Sequence, residues 1–169
     1  MIYNIQDPYI QITQHTICFI NDNLFTFQPF SNDYMYVYQI NSSSKQYSKT
    51  KQINVKSYSY GCMNLFPQQY IKQKCLLANK NGNNVNLVRI NQNGEFITQQ
   101  SIQFENYFIF GQVSENGKQL MTWEFNSRKI LIRKMSNYEQ WIIKQIINIF
   151  TSIKLKNYRY DVYISKYNM

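Results

Sequence analysis

Histidine is almost missing from this 169-residue chain. His15 stands alone, and only 9 residues are acidic. Zinc sites and nucleophile–base pairs draw on imidazole, so neither has much to build with here. Glycine (5) and proline (3) are also scarce, and no glycine-rich loop of the kind that cradles phosphate occurs. Asp22, Asp33 and Glu115 fall at predicted turns, where solvation accounts for them without general acid–base chemistry. We therefore expect no enzyme activity and no cofactor. The three cysteines, Cys18, Cys62 and Cys75, are widely spaced and odd in number. That suits reduced thiols in a cytoplasmic protein rather than a disulfide framework, and as members of predicted strands they read as buried and inert. Residues 1–20 lack the pattern of a secretory signal, and no uncharged apolar run approaches the ~20 residues of a membrane span. A soluble, cytoplasmic protein is the expectation.

What is present is apolar and basic. Hydrophobic residues make up 44% and aromatics 17%, and 18 Lys and Arg leave a net charge of +9. A packed core is within reach and a disordered chain is not expected. The charge is scattered. Its densest run, Arg128-Lys129-Ile130-Leu131-Ile132-Arg133-Lys134, is interrupted by apolar residues in the manner of a strand. With no recognition motif beside it, nucleic acid is not the expected partner, although an RNA-associated protein stands as the alternative reading. Clustering of Lys45, Lys49, Lys51 and Lys56 on one surface would favour that alternative.

Periodicity gives short alternating strands broken by Asn, Gly, Asp and Ser. Three stretches superpose: Tyr34-Met35-Tyr36-Val37-Tyr38-Gln39-Ile40-Asn41, Asn84-Val85-Asn86-Leu87-Val88-Arg89-Ile90-Asn91 and Lys129-Ile130-Leu131-Ile132-Arg133-Lys134-Met135-Ser136. Their apolar residues coincide at Met35/Val85/Ile130, Val37/Leu87/Ile132 and Ile40/Ile90/Met135. The offsets, 35 to 85 and 85 to 130, approach the ~40 to 45 residues of a four-stranded propeller blade. Each stretch follows a turn signal: Ser31-Asn32-Asp33, Asn81-Gly82-Asn83 and Asn126-Ser127-Arg128. Further strands are expected over 24–30, 75–79 and 119–125, and before them over 16–20, 60–65 and 108–113. Segments 52–58 and 96–104 are expected to be outer strands that begin the next unit. The alternating tyrosines Tyr34, Tyr36 and Tyr38 read as sheet packing.

The last unit runs from Phe110-Gly111-Gln112-Val113-Ser114-Glu115-Asn116-Gly117 through Leu120-Met121-Thr122-Trp123 to Ile130-Leu131-Ile132. It resembles a WD repeat, and residues 16–135 as a whole look like the last blades of a WD-repeat protein. The family's Gly-His and Trp-Asp dipeptides are absent, so its Ser/Thr-His-Asp-Trp hydrogen-bond network has no counterpart. Blade stability is expected from aromatic and aliphatic packing instead. The resemblance implies an all-β fold, a partial β-propeller of about three four-stranded antiparallel blades over 1–138. Because closed propellers have four to eight blades, either another propeller half completes the ring or the chain is the truncated tail of a longer ancestor, and the open strand edges invite self-association.

Residues 139–169 form the remaining segment. Trp141, Ile142, Ile143, Ile146, Ile147, Ile149, Phe150 and Ile153 recur at mixed three- and four-residue spacings, which fits an amphipathic helix capping the open core. A strand over 141–149 is the alternative. The resemblance also implies a scaffold or adaptor that binds protein partners through loops on one face. The candidate contacts are Lys45, Pro67 and Tyr70 (in an insertion between inner strands), Asn93 and Tyr138.

Overall fold

The computed structural model describes residues 16–30, 32–57 and 66–135. The chain divides into one unit of Met1–Met135 and a second of Ser136–Met169, and the helix or strand expected in the second lies outside the described residues. The described part is all-β. Eleven strands form three antiparallel sheets: β1 (Thr16–Asn21), β2 (Leu24–Gln28), β3 (Tyr34–Ile40) and β4 (Tyr47–Asn54) in the first, β5 (Gln69–Ile71), β6 (Leu76–Asn81), β7 (Asn84–Ile90) and β8 (Phe96–Gln103) in the second, and β9 (Ile109–Val113), β10 (Gln119–Glu124) and β11 (Ile130–Lys134) in the third. In each sheet the strands lie side by side in chain order.

Several expectations shift. Segments 47–54 and 96–103 pair with the strands that precede them, β3 and β7. They complete a sheet rather than begin the next one. Strand β4 starts at Tyr47 and not at 52 because the Tyr47 ring packs on Phe25 at 5.1 Å while its hydroxyl donates to the Asp22 carbonyl at 2.6 Å. The first strand of the second sheet is the short β5, inside the stretch expected to be an insertion; segment 60–65 lies outside the described residues. Among the described residues the third sheet has three strands, not four.

The superposed stretches are the strands β3, β7 and β11. In addition, β4 and β8 carry the same irregularity: a bulge opposite Val37/Tyr38 in the first sheet and opposite Leu87/Val88 in the second. Such an extra residue flips the alternation of side chains beyond it. Lys49 accordingly lies 4.3 Å over the Tyr36 ring, while Lys51 reaches the opposite way to donate to the Gly94 carbonyl at 2.8 Å.

The sheets pack face to face. Met35 of the first sheet meets Leu77 and Val88 of the second, with Val55 between them. On the second sheet's other face Leu76, Ala78, Val85 and Leu87 pack against Ile109, Val113 and Leu120 of the third. Each face is built from alternate residues of two hairpin strands, as the two-residue period dictates. The far face of the first sheet holds Phe25, Phe27, Tyr36 and Tyr38, all buried, with Phe25 and Tyr38 stacked at 5.0 Å.

Apolar packing is joined by a buried amide chain that the sequence reading did not anticipate. Thr26 donates to Gln68 Oε1 at 3.0 Å, Gln68 Nε2 donates to Asn79 Oδ1 at 2.8 Å, and Asn79 Nδ2 donates to Gln28 Oε1 at 2.8 Å. Gln28 Nε2 then caps the carbonyls of Pro29, Asn32 and Tyr34. Amides carry donors and acceptors on one group, so a relay of them satisfies itself between two sheets without any charge.

Candidate interaction surface

Among the described residues the third sheet is the last of the stack. Register places Trp123 between Phe110 and Ile130, and Met121 between Gln112 and Ile132, so these six side chains form two rows across one face. Aromatic contacts hold the first row, with Phe110 and Trp123 at 5.2 Å, and extend it to Phe125, 6.1 Å from Trp123. The opposite face, with Ile109, Val113, Leu120 and Thr122, is buried against the second sheet. Gly111 permits that approach: a Cβ there would sit 2.6 Å from both the Met121 carbonyl and the Phe66 ring.

Comparison of equivalent positions shows how different this face is. Met35, Val37 and Val85 are 0% exposed and Leu87 is 5%, each covered by the following sheet, whereas Ile130 is 66% and Ile132 64% exposed. Leu131, whose side chain alternates to the inward face, is still 37% exposed. Among the described residues nothing pairs with the outer edge of β11. Contiguous exposed apolar surface of this kind marks interaction sites.

Cations frame the apolar rows. Arg128 and Lys129 precede β11, Lys134 ends it, and Lys118 lies beside Lys134 through the pairing of Gln119 with Lys134. Arg128 holds a left-handed φ of 52° in the turn that enters β11. Arg133 turns inward, donating to Thr122 Oγ1 at 2.8 Å with its guanidinium 4.9 Å from the Phe104 ring centre.

The residues picked out from sequence are dispersed. Lys45 is exposed in the β3–β4 loop with a left-handed φ of 55°. Asn93 is exposed in the equivalent β7–β8 loop, where Asn91 Oδ1 accepts from its backbone N–H at 2.9 Å. It helps line a cleft of about 520 Å³ with Asp22, Asn23, Lys51 and Gly94. Pro67 is exposed just before β5. Tyr70 is not a loop residue: it lies in β5 opposite Leu77 and packs on the core between the first two sheets. Tyr138 lies outside the described residues. A second cleft of about 710 Å³ runs between β4 and β8, lined by Asp33, Asn54, Lys56, Thr98 and Ser101. Lys49 and Lys51 point to opposite faces, so the four lysines do not form one patch.

Cysteine placement also departs from expectation. Cys75 is exposed, not buried in a strand. It follows the 3-10 turn Lys72–Lys74 with a left-handed φ of 48°, and its N–H caps the Lys72 carbonyl, so β6 begins only at Leu76. Cys18 is half-buried, and that burial pushes its thiol pKa up. Tyr70 is pushed up to about 12 by burial, then by its hydrogen bond and charge interaction with Cys75 and by Cys18. Cys62 lies outside the described residues. Among the described residues no three His, Cys, Asp or Glu side chains converge as a metal site, and no helix is long and apolar enough to cross a membrane. Comparison with protein-family models, with curated proteins and with solved structures finds no match to this chain.

Proposed function

We propose that this chain is a non-enzymatic scaffold, an arc of a β-propeller of the WD-repeat kind, that holds a protein partner against the open side of its third sheet. One observation carries the reading: positions that the next sheet covers in the first and second sheets are bare in the third. The equal lengths of β3 and β7 and of β4 and β8, with the shared bulge, support the propeller reading, because stacked equivalent sheets are how such repeats bury their faces. A second copy stacked head to tail would have to sit on the far face of the first sheet. On that face Phe25, Phe27, Tyr36 and Tyr38 are already buried and apolar exposure is confined to Ile17 and Phe19 of the edge strand β1, which favours a different polypeptide as the partner.

Photo-crosslinkers placed singly at Ile132, Asn93 and Lys45 of the full chain, exposed to extracts of its native cells, test the reading. A discrete polypeptide joined at one or more of these positions is the expected result. Background labelling at all of them would remove the scaffold reading.

A further inference from the structure

We propose that the outer edge of β11 is a strand-addition site for an extended partner segment, apolar at its centre and acidic at both ends. This rests on the scaffold reading and specifies its partner. Three observations converge on it.

The first is the missing neighbour. In the first two sheets an eight-residue strand, β4 or β8, runs antiparallel beside the third strand. No described residue takes that place beside β11.

The second is that both faces of β11 are open. Ile130 and Ile132 point outward and Leu131 inward, yet all three are exposed. A sheet laid on the outer face would cover only the isoleucines, whereas a strand at the edge supplies neighbours to both faces and pairs the backbone as well.

The third is charge. Arg128 and Lys129 stand at one end of β11, and Lys134 with Lys118 at the other; Glu115 is the single acid in the turn 114–118. A second copy of β11 paired antiparallel would bring two such cationic sets together, and like charges across neighbouring strands repel. Acidic ends on a foreign strand are attracted instead, with three or four exposed ion pairs together worth about tenfold in affinity.

The test uses fluorescein-labelled Glu-Glu-Val-Thr-Val-Thr-Glu-Glu, its counterpart with lysine for every glutamate, and the full chain, read by anisotropy and by hydrogen exchange. Saturable binding of the glutamate peptide is expected, weakened about tenfold by about 0.5 M salt, with new protection confined to β11. Exchanging charge at the edge with Lys129→Glu and Lys134→Glu, which leaves one cation beside one acid at each end, should abolish the preference that the native chain shows between the two peptides. The proposal is overturned if neither peptide binds, if both bind alike, or if polyuridylate protects β11 while the peptides do not. Protection of β11 in the free chain overturns it too: independent of concentration it means the chain fills its own edge, and rising with concentration it means a second copy does. Crosslinks at Asn93 or Lys45 but none at Ile132 would sink this site while leaving the scaffold reading standing.

Discussion

Replacing Asn79 by alanine probes the amide relay between the first and second sheets. Asn79 is fully buried; its Oδ1 accepts from Gln68 and its Nδ2 donates to Gln28, both at 2.8 Å. Truncation leaves Gln28 Oε1 without that donor and takes the amide acceptor from Gln68 Nε2, which keeps only a sulfur contact to Met35 at 3.2 Å. A buried polar group stranded in this way costs about 1–3 kcal/mol. With the second loss partly offset by the sulfur, Asn79→Ala should cost about 3 kcal/mol, a large share of the ~5–15 kcal/mol that holds a typical domain. For a chain of this size that corresponds to a melting temperature lower by about 6–12 °C. Urea unfolding followed by far-ultraviolet circular dichroism should show a lower midpoint at unchanged slope. In a cycle with Gln28→Ala the double variant should lose about 1–2 kcal/mol less than the sum of the singles, because no orphan remains between the two sites. A loss for Asn79→Ala below about 1 kcal/mol, or strict additivity, would refute the relay as a structural tie.

Two glycines separate strain from crowding. Gly111→Ala drives a methyl into the Met121 carbonyl and the Phe66 ring, and calorimetry should show destabilisation of several kcal/mol or failure to fold. Gly94→Ala meets nothing within 4 Å and bears only its left-handed φ of +72°, so its cost should stay near 1 kcal/mol. Under native conditions a maleimide followed by peptide mass spectrometry should label exposed Cys75 well before half-buried Cys18; equal rates would contradict the burial of Cys18. Tyr70 should ionise late in an absorbance titration at 295 nm, near 12, as the difference between the native chain and Tyr70→Phe. Its folded pKa lies above the ordinary value of 10.0, so the stability it lends is complete below about pH 10 and falls as pH rises toward 12. Tyr70→Phe should flatten stability against pH in that window alone.

Strands rich in β-branched residues were legible. The alternation in Tyr34–Ile40, Asn84–Ile90 and Ile130–Lys134 announces half-buried strands, and all three are strands in the structure. Strand β4 was less so, because Lys49 and Lys51 show no apolar period, and a bulge that turns them to opposite faces leaves no trace in a pattern of two. Cys75 looked like the start of a strand because the backbone of a left-handed cap is invisible from residue type. The amide relay was hidden for a different reason: Asn and Gln read as solvent-facing until two sheets bring their complementary donors and acceptors together. Asn93 lines a cleft, and the open edge of β11 could not be seen in advance. Ile-Leu-Ile in a sequence reads as core, and only its position in the last sheet of the described residues leaves it bare.

The seam between the first and second sheets and the edge of the third respond to different surroundings. The relay of Thr26, Gln68, Asn79 and Gln28 contains no group that titrates between acid and alkali and no net charge for ions to screen. That joint should hold in brine as in dilute buffer. The rim of Arg128, Lys129 and Lys134 has the opposite temperament. Its grip on an acidic strand tightens in dilute buffer and slackens with every added ion, so salt becomes a handle that loosens the partner while leaving the joint intact.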